Sequence, residues 1–347
     1  MRLSRHLLFG LAELVLLAAF AAAQQSAAPV DGSASGSIAA QSHPVQNPTD
    51  NPTQNPVQNP ADDSLQHPTQ NPTHPPIQLQ PDAAGMVPQE QFRELLRYAQ
   101  DREVENEKRL RDYTYVEREE EHKLDAKGEV TKVETRTREV LEVYGEPVER
   151  LIAKDDKPLT EDEAKKEDEK IQKVINKRKN ESESDRRKRL QKEEKEREED
   201  RKFVLEIADA FNFRLVGSEQ MNGRETWVID CDPRADYQPK ERGTKILSKF
   251  KGRLWIDKQD GQWVKFDITA IDTVSVGWFL VRLHKGARVE AEQVKINDEV
   301  WLPKHVSARI DARLALVKGF NEEIDDTYRD YKKFRAESKV TAVGETQ

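Results

Sequence analysis

The sequence predicts an α+β protein: a large curved antiparallel sheet covered by helices, with a long charged helical insertion and a disordered N-terminal tether. Three observations point there. Phe, Trp and Tyr are absent from residues 21–91 and 145–202, and all five Trp lie between Trp227 and Trp301, so the core belongs to the C-terminal half with a smaller share near 92–144. The stretch Val306, Ala308, Ile310, Ala312, Leu314 and Leu316 alternates with Ser307, Arg309, Asp311 and Arg313, the period-two pattern of a strand with one buried face. Phe92, Leu95, Leu96 and Ala99 recur instead at helical spacing, which predicts an amphipathic helix over 89–110 that packs on a sheet.

At the start of the chain, Arg2 and Arg5 precede an apolar run from Leu7 to Phe20 and then Ala21, Ala22 and Ala23. This is the basic, apolar and small-residue order of a secretory signal, so residues 1–23 are expected to be cleaved and the protein to be periplasmic or secreted. The run is interrupted by Glu13 and falls short of the roughly 20 residues that span a bilayer. Residues 24–87 follow as a Pro/Asn/Gln-rich tether, with Pro44, Pro48, Pro52, Pro56 and Pro60 at four-residue intervals. Such a segment has no apolar face to bury and loses a backbone donor at every proline, so it is expected to be an extended spacer.

Beyond the first helix the period changes. Tyr113 and Tyr115 mark one strand. Thr131, Val133, Thr135, Thr137, Leu141 and Val143 oppose Lys132, Glu134, Arg136, Arg138 and Glu142 along a second, and 150–153 forms a third; Asp125 to Gly128 and Gly145 to Pro147 supply the turns of a meander. Thr160 and Glu163 have capping-box spacing and open the charged insertion, 161–202. It carries 15 acidic and 16 basic residues in 42, so most of its length is solvated, and Asn180 to Ser184 is expected to break or bend it into two pieces, which leaves open whether the arm is one helix or two. Phe203, Leu205, Ile207 and Phe211 dock its end on the sheet. Thereafter Asn222-Gly223, Lys258 to Gly261 and Asn297-Asp298 punctuate a series of hairpins.

Chemistry is sparse. A net charge of -8 gives no basic field for nucleic acid. Cys231 is the sole cysteine, so a disulfide framework is excluded, and its position on a strand face with Trp227 and Ile229 reads as a buried small hydrophobe. His122, His284 and His305 lack zinc-like spacing, and no phosphate loop or nucleophile elbow is present. Glu119 to His122 could hold a cation but, as an acidic run, reads as a solvated face. No catalytic residue, metal or cofactor is therefore expected.

An apolar sheet face that curls without closing must be covered by helices or filled by a ligand. The segments Gly223-Arg-Glu-Thr-Trp-Val-Ile-Asp-Cys-Asp-Pro233 and Gly252-Arg-Leu-Trp-Ile-Asp-Lys-Gln-Asp-Gly-Gln-Trp-Val-Lys-Phe-Asp267 resemble strand pairs of the outer-membrane lipoprotein carrier superfamily, which holds the LolA-like carriers, LolB receptors and RseB-type sensors. The resemblance spans roughly 88–155 and 203–335 and implies an exported, unclosed half-barrel, 88–340, around an apolar cavity. The tether and the 161–202 arm depart from that pattern, and no cysteine near the signal offers a lipid anchor. Alternation alone nominates the lining: Trp227, Ile229, Val264, Phe266, Ile268, Ile310, Leu314 and Leu316. The expected partner is a lipid acyl chain or a lipoprotein, in a protein that is not an enzyme. The alternative is a periplasmic interaction or sensor protein that meets an envelope partner through the arm, with the apolar face as plain core.

Overall fold

A computed structural model describes residues 78–144, 146–241, 243–276, 281–314 and 318–333. The signal and most of the tether lie outside them. The chain engages the sheet before residue 88, however: β1 (Met86–Val87) pairs with Arg214 and Phe213. The amphipathic helix follows as α1 (Gln89–Leu110), and the meander as β2 (Tyr113–Leu124), β3 (Val130–Val143), β4 (Glu146–Lys154) and the short β5 (Lys157–Pro158).

The insertion is two helices, α2 (Glu161–Lys179) and α3 (Glu183–Ala210). Thr160 and Glu163 form the capping box, and Ser182 accepts from the Asp185 amide to start the second helix. The remaining strands are β6 (Phe211–Met221), β7 (Arg224–Pro233), β8 (Phe250–Asp257), β9 (Trp263–Ala270), β10 (Val274–Val276), β11 (Val281–Leu283), β12 (Arg288–Ile296), β13 (Val300–Leu314) and β14 (Lys318–Lys333); a 3-10 turn covers Thr244–Lys249. The two-residue hairpins carry the positive φ angles that their sequence demands, at Asn222 (50°) with Gly223 (78°) and at Asn297 (51°) with Asp298 (54°).

All pairings are antiparallel, in the order β1-β6-β7-β8-β9-β12-β13-β14-β2-β3-β4-β5, with β11 added on β13 and carrying β10. Its two ends do not meet, so the sheet is open. One face is wet: Arg214 and Arg253 both bond Asp230, and Arg288 bonds Asp267, in a ladder of cross-strand charge pairs.

The opposite face is covered. Phe92 and Leu95 of α1, Ile207 and Ala210 of α3, and Phe213 and Ile229 of the sheet form one buried cluster, in which the Phe92 and Phe213 rings stack at 3.5 Å. A larger cluster runs from Tyr113 and Tyr115 through Phe266, Ile268, Val306 and Ile310, and Leu254 packs against both. The buried stripe of α1 turns polar along its length, to Gln100, Glu103 and Asn106. Two of these tie the helix down through backbone groups. Asn106 both donates to the Trp301 carbonyl (3.1 Å) and accepts from its amide (2.7 Å), while Gln100 donates to the Arg201 carbonyl in α3. Glu206 of α3 anchors the segment after β7 by accepting from the Tyr237 hydroxyl and from the Lys240 and Glu241 amides.

Candidate binding face

Cross-strand register shows how the covered face is composed, because directly opposed residues in an antiparallel sheet share a face. One row reads Ile229, Leu254, Phe266, Ala291, Val306, Asp326, Glu119 and Arg136, strand by strand from β7 to β3. The neighbouring row reads Cys231, Gly252, Ile268, Val289, Ala308, Ile324, Glu121 and Glu134. Along these rows the face is therefore apolar from β7 to β13, mixed on β14, where Asp326 and Ile324 share it, and charged on β2 and β3. Sequence alternation leads to a uniformly apolar face; the structure replaces it with a graded one.

The nominated residues fall on the apolar part. Ile229, Val264, Phe266, Ile268 and Ile310 are 0, 1, 5, 4 and 2% exposed, so their side chains are sealed as the chain stands. Phe266, Ile268 and Ile310 join the larger cluster, whereas Ile229 and the half-buried Trp227 join the smaller one under α1 and α3. Ile229 and Phe266 lie in one row, so the split is made by what covers them rather than by facing opposite ways. The side chain of Leu314, and Leu316 altogether, lie outside the described residues. Alanines are frequent on this face: Ala270, Ala291, Ala308 and Ala312 all belong to the larger cluster.

At the charged end, β2 alternation turns Tyr113, Tyr115, Glu117, Glu119 and Glu121 to the covered face. The acidic run of Glu119 to His122 is thus split. Glu120 accepts from Arg118 and bonds His122 (2.7 Å) on the outer face, while Glu119 and Glu121 face inward, so the solvated-face reading holds for only half of it. The clue was in the chain: two tyrosines precede Glu117 at the same period.

Oxygens of Glu117, Glu119 and Asp326 lie within 4.8 Å of one another. Glu119 receives Arg136 Nη1 at 2.5 Å and Arg138 Nη1 at 3.1 Å, and Arg138 reaches Glu117 only at 3.9 Å. Burial pushes the Glu119 carboxyl up, but the two guanidiniums outweigh it and hold the group below its ordinary value. Glu117 lacks that compensation, and burial raises it to about 7 against the pull of Arg138. Burial, then Glu117 and Glu119, raise Asp326 well above the usual carboxylate range. Glu117 and Glu119 are 13 and 19% exposed, so this end is more open than the apolar part.

The other reactive side chains are occupied. Cys231 is buried, which pushes its thiol up and away from nucleophilic use. His284 pairs with Asp311 and His305 with Asp325, each at 2.8 Å. No described helix is long and apolar enough to cross a membrane.

No protein-family profile and no curated protein matches the chain. Solved structures align over most of it. A DUF1329 family protein from Desulfovibrio piger has 8% identity, with 73% of this chain and 95% of that one covered, at a TM-score of 0.28. A domain described as an outer membrane lipoprotein-sorting protein, from Vibrio parahaemolyticus, has 10% identity, coverage of 71 and 94%, and a TM-score of 0.30. A LolA superfamily protein from Nitrosomonas europaea has 9% identity, coverage of 70 and 93%, and a TM-score of 0.24. The likeness is loose at such scores, and function rests on this chain's own residues.

Proposed function

We propose that this protein is a non-enzymatic cell-envelope binder that holds an acyl chain, free or on a lipoprotein, between the apolar part of the sheet and its helical cover. The supporting observation is the unbroken apolar row Ile229, Leu254, Phe266, Ala291 and Val306 on an open sheet. Alanines at 270, 291, 308 and 312 keep that face shallow, so an acyl chain could lie along it once the cover yields. Each methylene buried there gains about 0.8 kcal/mol, enough for tight binding with no catalytic group. Outer-membrane lipoprotein sorting is one setting for such a holder, and the predicted signal supplies the export that this requires.

Native mass spectrometry of the mature protein, purified without detergent and followed by organic extraction, tests the reading. A stoichiometric acyl species is expected, lost in Phe266→Asp. Because a buried aspartate can unfold the chain, Ala308→Phe serves as the second variant: it fills the same face with apolar volume and should also exclude lipid. A clean apo mass that stays unloaded after incubation with phospholipid and lipopeptide overturns the proposal.

The alternative is capture of an envelope protein by the arm. Its charges are largely paired within it, Arg189 with Glu181 (2.9 Å) and Glu193 (3.1 Å), but Leu190 stands 46% exposed. Replacing 161–202 by a short Gly/Ser linker should end pull-down of such a partner and leave bound lipid unchanged; a partner still captured removes this alternative.

A further inference from the structure

We propose that Glu117, Glu119 and Asp326 form a binding site for a divalent, oxygen-preferring cation of the Ca2+ or Mn2+ class at the charged end of the covered face. Geometry is the first support. Two oxygens on opposite sides of an ion bound at about 2.4 Å stand about 4.8 Å apart, and the three carboxylates keep their oxygens within 4.8 Å. Two strands deliver them: Asp326 of β14 is opposite Glu119 of β2, and Glu117 is two residues along β2 on the same face. An all-carboxylate donor set suits a hard cation rather than zinc or copper, which favour imidazole and thiolate.

The second support is independent of the clustering. Asp326 Oδ1 is buried and has no hydrogen-bond partner among the described residues. A buried carboxylate oxygen without a donor is costly, and such groups are ordinarily paired or bound to metal. The neighbouring cations bond elsewhere: Arg136 pairs with Glu119 (2.5 Å) and Glu121 (3.2 Å), and Arg138 with Glu119 (3.1 Å). Val306 lies directly opposite Asp326, so the ion would sit where the apolar row ends.

The test uses the full mature chain, stripped with chelator and titrated with Ca2+ by calorimetry, with Tb3+ luminescence as a local reporter because Tyr328 lies opposite Glu117 and can sensitise it. One saturable site is expected, weakened at least tenfold in Asp326→Asn and in Glu117→Gln. Both substitutions keep side-chain shape, and thermal melts confirm folding. Glu107→Gln on α1 serves as the control and should bind as wild type. Absence of saturable binding, or binding that both variants retain, overturns the proposal; the second result would place the ion among the many surface carboxylates.

Discussion

Glu103 is the group whose replacement should change stability most simply. It lies on the buried stripe of α1, 3% exposed, with Oε1 lacking a partner among the described residues. Burial, then the nearby Glu107, raise it to about 8, and the Asn106 side chain offsets only part of that. The sign follows from linkage. Below pH 4.5 both folded and unfolded chains hold the proton and nothing is lost. Between 4.5 and about 8 the unfolded chain releases it and the folded chain does not, so stability falls as pH rises. At about 1.36 kcal/mol per pH unit the limit at pH 7 is about 3 kcal/mol. Glu103→Gln keeps the acceptor for Asn106 and removes the ionisation, so a gain of about 1–3 kcal/mol at pH 7 is expected, shrinking toward zero at pH 4.5. Thermal melts at pH 5 and pH 8 read this, at roughly 2–4 °C per kcal/mol for a domain of this size. A variant less stable than wild type at pH 8, or a difference that does not change with pH, refutes the reasoning.

Other expectations are simpler. Asn106→Ala strips both partners from the buried Trp301 peptide groups and should cost about 2–4 kcal/mol in urea unfolding, loosening α1 first by hydrogen exchange. Gly252→Ala brings a Cβ to 2.7 Å from the Asp267 carbonyl and 3.0 Å from Ile268, so β8 and β9 must separate locally. A loss of about 1–3 kcal/mol is expected, by the same melts. Thr160→Ala breaks the capping box and should lower α2 helicity in circular dichroism at a cost of about 1 kcal/mol, leaving the sheet intact.

The local elements were legible in the chain because their determinants are local. Helical spacing of Phe92 and Leu95 marks α1, Thr160 and Glu163 mark the start of α2, and Asn222-Gly223 and Asn297-Asp298 can satisfy positive φ at little cost. Alternation also told which β9 and β13 residues are buried, since Val264, Phe266, Ile268 and Ile310 all are. The polar staples Gln100 and Asn106 were not legible, because their partners lie 101 and 195 residues away.

By itself, then, the sequence determined the elements, the wet and covered sides of the long β9 and β13 strands, and the solvated arm, since period, caps and turn chemistry act within a few residues. Tertiary structure alone decided that Asp326 meets Glu119 across a strand pair and that two helices divide one apolar face into two clusters. Alternation says that a strand has two faces, but which strand lies beside it is settled by pairing between distant segments. That pairing, together with partial desolvation, turns an ordinary acidic stretch into a half-buried carboxylate cluster.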